Sequence, residues 1–382
     1  MFSLRQASAL AREPDVSAVV EATERFLASA SGPACFRQAR GDPEAAVDAA
    51  AFGRLAEVGL TGALVPEDLG GLGFPAGVAV LLAERLGWSL AREPFVENLV
   101  LPYALLLALG NNARAHALLG GMAKGGSVVC VAFQEGAFAL PSAEFPVARI
   151  EKVGNGLRLR GRKRFVVGAR ASTHSLVLAP LEGEAALLCV PSGAAGVTRQ
   201  DKLLADGTFW SDVEFDTVVA EDALIERGAS CIAALENALD VANLALSGEL
   251  YGLQTRILEM TLDYLKTREQ FGQPLGAFQA LQHRAVNLYT RAQIGRFLLG
   301  EAVDATETSA QAQYASRCKA RTADSALEIA KEGIQLHGAI GFSDEYDLGL
   351  YVKRILVRSA WLGGADFHRR RLESFELAEA AA

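Results

Sequence analysis

The spacing of hydrophobic positions divides the chain into three parts, of which residues 1–125 form the first. Apolar residues recur there at helical spacing, as between Val16 and Leu27, which predicts amphipathic helices. The nearly continuous apolar run Val78–Leu86 predicts a buried helix. No strand signal precedes the glycine-rich stretch Pro66–Gly73, so we interpret it as an irregular turn between helices rather than as a phosphate-binding loop.

Residues 126–228 change to short β-rich runs that are separated by turn signals. The runs are Val128–Phe133, Leu157–Leu159, Arg164–Val167, Ser175–Leu178, Ala186–Val190 and Val213–Phe215. The pair Asn155-Gly156 is a hairpin signal, because both residue types tolerate positive φ. Short strands at this regular spacing predict a small antiparallel barrel or sandwich.

Residues 229–382 return to helical spacing. The predicted helices are Ala233–Arg268, Ala277–Leu299, Ala310–Leu336 and a last one from Asp347 to the C-terminus, with a turn at Gly272–Gly276. Long helices joined by short turns predict an up-and-down four-helix bundle. The predicted fold class is therefore α+β multidomain, with an N-terminal helical domain (1–125), a middle β-domain (126–228) and a C-terminal bundle (229–382).

Composition and charge are those of a globular protein. The chain has 382 residues, 51% of them hydrophobic, and a formal net charge of −8, which predicts no nucleic-acid surface. We interpret the basic stretches Arg158–Arg164 and His368–Arg371 as solvated faces or local anion contacts. The five cysteines have no metal-type or redox-type spacing, which predicts small buried residues in a reduced compartment.

The N-terminal segment Met1–Asp15 carries charges and lacks the apolar region of a signal peptide. The longest apolar stretch, Leu99–Leu109, is shorter than the roughly 20 residues that a membrane-spanning helix needs. We therefore expect no association with a membrane and a cytoplasmic location.

Two segments of the C-terminal part resemble signature motifs of the acyl-CoA dehydrogenase family. Tyr264–His283 resembles the family's helix-turn-helix signature, and Gln335–Glu345 resembles its Gln-x-x-Gly-Gly-x-Gly motif. The two occur in the family's order and at its usual separation, and the order of helices, strands and helices fits along the whole chain. Pro66–Gly73 is similar to a loop of the family's N-terminal domain. The resemblance implies an acyl-CoA dehydrogenase-like fold and FAD as cofactor.

In this family the two motifs come from adjacent subunits and together hold the ADP half of FAD. By resemblance, this role falls to Arg268, Phe271, Phe278, Gln279, Gln335 and Gly338. A guanidinium suits a pyrophosphate, aromatic rings and an amide suit the adenine and ribityl groups, and glycine lets the backbone approach a cofactor. The motif histidines His283 and His337 are interpreted as core histidines, and the sequence shows no metal cluster.

The family's reaction removes an α-proton from an acyl-CoA thioester while the β-hydrogen leaves as hydride to the flavin, so it needs a base. Resemblance places the usual glutamate at Leu362 in the stretch Arg358–Gly364, and the less common one at Ala242, which Asn243 follows. Neither leucine nor alanine takes a proton. Glu249 lies seven residues beyond Ala242, which is about 10 Å along a helix. It is a weaker candidate for a substitute base, and a capping or inter-helix role is the alternative.

The β-domain motifs that contact flavin and thioester in the family are also altered. Phe133–Leu140 stands where the family has Thr/Ser-Glu-Pro-Gly-Ala-Gly-Ser, and it lacks the hydroxyl and the proline. Phe165–Val167 stands in place of Trp-Ile-Thr/Ser. The resemblance therefore implies weakened contacts to the isoalloxazine ring beside retained contacts to ADP.

Three hypotheses follow. In the first, the chain is a subunit of a heteromeric acyl-CoA dehydrogenase and a glutamate-bearing homologue completes the site, as in αβ enzymes that degrade steroid side chains. In the second, it forms a self-sufficient homodimer or homotetramer with a relocated base such as Glu249. In the third, it is a non-catalytic binding or regulatory homologue. The resemblance also implies an acyl-CoA substrate, electron-transfer flavoprotein as acceptor, and a role in β-oxidation of fatty acids or steroid side chains.

Overall fold

The computed structural model describes residues 3–41, 49–110, 112–136 and 147–381. The N-terminal region is helical, as predicted. Its helices are α1 (Pro14–Ala30), α2 (Pro33–Gly41), α3 (Ala49–Glu57), α4 (Gly77–Trp88), α5 (Leu101–Ala108) and α6 (Ala113–Ala123), and a π-helical turn at Val96–Val100 leads into α5. Helix α4 is buried along most of its length, which confirms the prediction from its apolar run. Pro66–Gly73 is a turn with one short 3-10 helix, also as predicted.

The middle region forms a β-sheet. Its strands are β1 (Val129–Ala132), β2 (Arg149–Val153), β3 (Gly156–Val167), β4 (His174–Leu181), β5 (Glu184–Pro191), β6 (Val197–Leu203), β7 (Phe209–Ala220) and β8 (Leu224–Arg227). Their order is β6-β7-β3-β2-β4-β5-β8, and β1 pairs with β4. The sheet is mixed rather than purely antiparallel, because β4 runs parallel to both β1 and β2. Apolar residues from these strands form one buried cluster.

Sequence periodicity missed the strands β2, β6 and β8. Strands β2 and β6 are mostly exposed, so they lack the apolar alternation that marks a strand, and only their pairing with β3 and β7 defines them. The predicted hairpin exists, with Val153 paired to Gly156 across a two-residue turn. The two runs that were predicted on either side of Lys163 form one strand, β3, with an irregularity between Lys163 and Val166.

The C-terminal region is a helical bundle, as predicted. It contains α7 (Ala229–Thr267), α8 (Gln279–Asp304), α9 (Gln311–His337), α10 (Leu348–Ala360) and α11 (Ala365–Ala381), with a small hairpin of β9 (Glu269–Gln270) and β10 (Gln273–Pro274) before α8. The prediction of a single last helix from Asp347 is wrong. The chain leaves α10 at Leu362 and Gly363, whose φ angles of 56° and 100° cannot continue a right-handed helix.

Glycines allow α4 and α7 to approach each other backbone to backbone. A Cβ added at Gly248 would lie 2.3 Å from the Val80 carbonyl oxygen, and one added at Gly252 would lie 2.0 Å from that of Glu84. A Cβ on Gly87 of α4 would lie 2.2 Å from the carbonyl oxygen of Glu249. The glycines therefore do not interrupt α7, and their lack of a side chain permits the close contact.

The chain divides into two compact units that are discontinuous in sequence. One comprises Met1–Gly41, Ala76–Ala91 and Asn243–Ala382, and the other comprises Asp42–Pro75 and Arg92–Ala242. The first unit has its own apolar core, which the bundle helices form together with Phe36 and Leu90. The domain boundaries at 125 and 228 remain a prediction.

Helix α7 is the one described helix that is long and apolar enough to cross a membrane by composition. In the structure, 67% of its most apolar window is buried within the protein. Burial of this kind is what a core helix shows, and helices of soluble proteins meet the same compositional criterion.

Candidate functional site

The hairpin between α7 and α8 carries the first group of predicted FAD residues. The Leu275 amide donates to the Arg268 carbonyl (2.8 Å) and closes the hairpin. At its tip Phe271 has φ 54° and is 92% exposed, and its ring meets that of Phe278 edge to face at 6.2 Å. Phe278 directly precedes α8, and Gln279 begins it. Arg268 and Gln279 are exposed, so this group faces outward.

His337, at the end of α9, lies in the second motif and contacts the helix that carries the first. Its ring stacks on Tyr264 of α7 with centroids 4.5 Å apart. Its Nδ1 donates to the Gly333 carbonyl (2.7 Å), and its Nε2 accepts from the Tyr346 hydroxyl (3.1 Å), which fixes one neutral tautomer. Burial lowers the pKa of His337. The core interpretation of His337 is confirmed, and Gly338 follows it at the C-cap with φ 66°.

The interpretation of His283 as a core histidine is wrong. His283 is exposed on α8, whose buried positions begin further along, at Leu288 and Ala292. Leu288 lies five positions after His283, so at about 100° per residue the two lie on different faces of the helix. Motif context alone does not show which face of the helix is buried.

The six predicted residues fit the ADP half of FAD by their chemistry and by their accessibility. Arg268 offers a guanidinium that no carboxylate pairs with in the described part of the chain. Gln335 and Gly338 are exposed at the end of α9, and no atom lies within 4 Å of a Cβ placed on Gly338. A planar cation, accessible aromatic rings and open backbone are what a pyrophosphate and an adenine need. Within the described residues, no hydrogen bond or ring contact joins the hairpin group to Gln335 or Gly338.

The turn Trp361–Gly364, between α10 and α11, contains the position of the usual base. Leu362 is 2% exposed and has φ 56°, a left-handed conformation that is uncommon for a non-glycine residue. Its side chain cannot accept a proton. The structure therefore supports no acid–base role at this position. It shows instead a turn in which a non-glycine residue has a left-handed backbone conformation.

Two buried side chains that were not among the predicted site residues contact this turn. Lys319 of α9 donates to the carbonyls of Ser359 (2.9 Å) and Gly363 (2.8 Å), and the Nε2 of His368 donates to the Leu362 carbonyl (3.0 Å). Burial, with Arg358 nearby, lowers the pKa of Lys319 to about 7. Burial, with Lys319 nearby, lowers the pKa of His368 to about 3.

The stretch His368–Arg371 was predicted to be a solvated face or a local anion contact, and this is wrong for His368, which is 1% exposed and contacts a hydroxyl and a backbone carbonyl. Arg369 and Arg370 are exposed, as predicted. In Arg158–Arg164, Arg160 is exposed, and Lys163 is fully buried but pairs with the Glu135 carboxylate, so the first residue fits a solvated face and the second a local anion contact. Residues of one charged run differ in burial because they lie on different faces of a helix or a strand.

Glu249 is buried between two arginines of α10. The Nε of Arg358 donates to its Oε1 at 2.9 Å, and a guanidinium nitrogen of Arg354 lies 3.4 Å from the same oxygen. The Arg354 guanidinium also lies 5.2 Å from the ring centre of Phe36. The Glu249 carboxylate therefore joins α7 to α10 through two charge-assisted contacts. These contacts favour the inter-helix role of Glu249 over the role of a substitute base.

The other position of a family glutamate, Ala242, is fully buried in α7. Asn243 follows it and is also buried. An alanine at a helical position inside a core contributes packing and no proton transfer. Both family positions of the base are therefore apolar in this chain.

In the middle region, a buried ion pair joins Glu135 of the first altered flavin motif to Lys163, which lies two residues before the second. Lys163 of β3 donates to Glu135 at 2.5 Å, and burial lowers the pKa of this lysine to about 8. Phe165, in the position of the family's tryptophan, has φ 56° and stacks on Trp210 of β7 with centroids 4.3 Å apart. The part of Phe133–Leu140 beyond Gly136 lies outside the described residues.

Two models of one protein family match this chain. The family model described as acyl-CoA dehydrogenase, N-terminal domain, matches residues 13–126, and the one described as acyl-CoA dehydrogenase, C-terminal domain, matches residues 232–375. The chain therefore belongs to the acyl-CoA dehydrogenase family, whose members are flavoprotein oxidoreductases.

Individual relatives align over nearly the whole chain. Acyl-CoA dehydrogenase IpdE2 of Mycobacterium tuberculosis is 27% identical over 364 residues, which cover 93% of this chain and 95% of the relative. A solved structure described as a variant of the Tcur3481-Tcur3483 steroid ACAD is 29% identical with a TM-score of 0.83, and the match covers 96% of this chain and 99% of that one. The ChsE4-ChsE5 complex from Mycobacterium tuberculosis matches with a TM-score of 0.81 at 23% identity, over 96% and 98% of the two chains, which shows the fold alone.

No group of three or more histidine, cysteine or acidic side chains in the described residues is arranged to hold a metal ion. Among the cysteines, Cys130, Cys189, Cys231 and Cys318 are buried, as predicted, and Cys35 is half-buried. Burial raises the pKa of the Cys130 thiol, so it stays protonated and weakly nucleophilic.

Proposed function

We propose that the chain is a subunit of a heteromeric, FAD-dependent acyl-CoA dehydrogenase, to which it contributes the ADP side of an FAD site. The single observation that carries this proposal is the contrast between two groups of positions. The residues suited to ADP, from Arg268 to Gly338, are present and accessible, while Leu362 and Ala242 leave both family positions of the base without an acid–base group.

The distribution of the ADP-side residues supports assembly with another chain. Phe271 projects from the hairpin tip with 92% of its surface exposed, so its ring is accessible to a cofactor or to a partner chain. Gln335 and Gly338 have no described contact with the hairpin group. A site whose halves do not meet within one chain is completed when the hairpin of one subunit faces the α9 end of another.

The names of two similar solved structures support the heteromeric form of the proposal. The Tcur3481-Tcur3483 steroid ACAD and the ChsE4-ChsE5 complex are each described by two component names. We infer a comparable pairing here, with a homologue that carries the glutamate. The substrate class would then be an acyl-CoA of the fatty acid or steroid side-chain type, and electron-transfer flavoprotein would be the electron acceptor.

In this assignment the residues of the chain bind and orient. Arg268 would hold the pyrophosphate, Phe271 and Phe278 would contact the adenine or ribityl groups, and Gln279 and Gln335 would bind polar groups of the ADP portion. FAD, when bound, supplies the hydride acceptor for α,β-dehydrogenation. The proton acceptor comes from the partner, because Leu362 cannot provide it.

The proposal is tested by expressing the chain alone and together with a glutamate-bearing homologue. We expect the co-purified complex to be yellow and to be bleached by an acyl-CoA without oxygen, and the chain alone to lack this activity. Loss of the partner's glutamate should abolish bleaching while flavin stays bound. A chain that is yellow and active alone would support the homomeric hypothesis, and a complex that binds no flavin would support a binding or regulatory role.

Replacing Arg268 by alanine is expected to weaken FAD retention by the complex by about 10-fold or more, since a charge-assisted contact to phosphate contributes about 1.5–3 kcal/mol. The measurement is the flavin-to-protein ratio after dialysis and the affinity on titration back with FAD. Lys266→Ala is the matched control, because Lys266 is an exposed cation at the end of α7, two residues before Arg268, and pairs only with Asp263 among the described residues. Equal loss in both variants would contradict a specific role for Arg268.

A further inference from the structure

The turn Trp361–Gly364 adopts a backbone that needs support from outside. Leu362 lies in the left-handed region with φ 56°, and Gly363 follows with φ 100°. This region is sterically unfavourable for a residue with a Cβ, and such residues persist where their surroundings fix the backbone. The carbonyl groups at the end of α10 also lack intrahelical partners. Contacts from neighbouring side chains must therefore stabilise this backbone conformation.

Lys319 donates hydrogen bonds to three backbone carbonyls, two at the end of α10 and one in the turn. Its Nζ lies 2.9 Å from the Ser359 oxygen, 2.8 Å from that of Gly363 and 3.4 Å from that of Arg358. An ammonium has three N–H donors, and Lys319 is 0% exposed, so these carbonyls take up its full hydrogen-bonding capacity. A buried lysine is costly, and this one contacts the backbone of the turn rather than a carboxylate.

His368 holds the same turn from α11. Its Nε2 donates to the Leu362 carbonyl, and Ser316 of α9, 3.4 Å from its Nδ1, donates to the other ring nitrogen. Arg371 donates in turn to the Ser316 hydroxyl at 3.1 Å. A Cβ added at Gly363 would lie 3.0 Å from the His368 Nε2 and 2.6 Å from Phe367. The turn is therefore enclosed on the α11 side as well as on the α9 side.

We infer that Lys319 and His368 are positioning residues that form one clamp on the turn and thereby fix the direction of the side chain at position 362. They come from two different helices, and both bind backbone oxygens of Ser359–Gly363. The side chain that is fixed is the one at the family's base position, so the functional meaning of the clamp rests on the proposed function. The clamp itself is a property of this chain and can be measured without cofactor or substrate.

The first test is amide hydrogen exchange of the full-length chain, in the complex if the chain requires one. Lys319→Met and His368→Phe keep the approximate size of each side chain and remove its donor. We expect protection of the amides in residues 361–365 to fall by about tenfold or more in each variant, while the middle of α9 and α10 changes little. Lys331→Met, on the exposed side of the same helix, and His283→Phe are the matched controls.

The second test reports the side chain at position 362 directly. Leu362→Cys is introduced in a Cys35→Ser background, since the other cysteines are buried. We expect the introduced thiol to react slowly with a thiol reagent and about tenfold or more faster when Lys319→Met is added. Lys319→Arg keeps a charged donor and is expected to restore slow reaction. If Lys319→Met does not fold, His368→Phe carries the same comparison.

An unchanged rate at the introduced thiol, or an increase in exchange that spreads equally over α9, α10 and α11, would overturn the inference and leave Lys319 and His368 as general packing residues. Because neither readout involves flavin, a failed flavin experiment with an intact clamp would count against the proposed function alone. A failed clamp experiment with a flavin-bound, active complex would count against this inference alone.

Discussion

Replacing Glu249 by alanine is expected to lower the free energy of unfolding by about 3–5 kcal/mol, because it removes one partner of a buried ion cluster. Glu249 is 6% exposed, and its Oε1 faces both Arg358 and Arg354, which are 5% and 1% exposed. The guanidinium groups would each lose the carboxylate that offsets the cost of their burial. Denaturant-induced unfolding of the purified protein measures the change, since the midpoint and slope separate stability from compactness.

Glu236→Ala is the control for this prediction, because Glu236 is an exposed residue of the same helix; we expect it to change stability by less than about 0.5 kcal/mol. Glu249→Gln keeps the shape of the side chain and removes its charge, so it is expected to destabilise the fold as well. A Glu249→Gln protein with unaltered stability and no turnover in an otherwise active enzyme would contradict the structural role and would support the relocated-base hypothesis.

The second large effect is a loss of stability in acid that depends on His368. Burial and the nearby Lys319 lower the pKa of His368 from its ordinary value of 6.5 to about 3 in the folded protein. The unfolded chain therefore binds a proton at this site at higher pH than the folded chain does. The stability that His368 contributes is present above pH 6.5 and is lost as the pH falls toward 3, by about 3–5 kcal/mol in total.

Unfolding free energies between about pH 7 and pH 3.5 test this prediction. As the pH falls, the free energy of unfolding of the wild type should decrease relative to that of His368→Gln, because glutamine does not titrate. The exposed control His283→Gln should show the same pH dependence as the wild type. Burial raises the pKa of Glu84 to about 6, so protonation of Glu84 increases stability as the pH falls. This contribution is the same in the wild type and in both variants, and it cancels when they are compared. A parallel pH profile for wild type and His368→Gln would contradict the assignment of a neutral, buried His368.

Local patterns in the sequence were enough to predict much of the fold. Helical spacing identified α1, a nearly continuous apolar run identified α4, and shorter apolar runs identified β1, β4, β5 and parts of β3 and β7. The residues suited to ADP could be proposed because their motifs are contiguous segments, such as Tyr264–His283. For these features, the information lies within a few turns of helix or a single strand.

Features that depend on distant pairing could not be predicted. Glu249 meets Arg358 across 109 residues, and Lys319 meets Gly363 across 44. Helical spacing gives the face on which a charged residue lies, but it does not say whether that face meets a counter-charge, a backbone carbonyl or water. The break between α10 and α11 is a different case, because the pair Gly363-Gly364 is a turn signal that the continuous-helix prediction overlooked.

The glycine contacts between α4 and α7 restrict how this chain can exchange parts with its relatives. At Gly87, Gly248 and Gly252 even a methyl group would meet a backbone carbonyl at 2.0–2.3 Å, so the two helices are matched to each other atom by atom. A recombination point between them joins an α4 and an α7 that were not selected together. Functional chimeras are therefore expected to inherit α4 and the middle of α7 from the same parent, although the whole β-sheet lies between these two helices in the sequence.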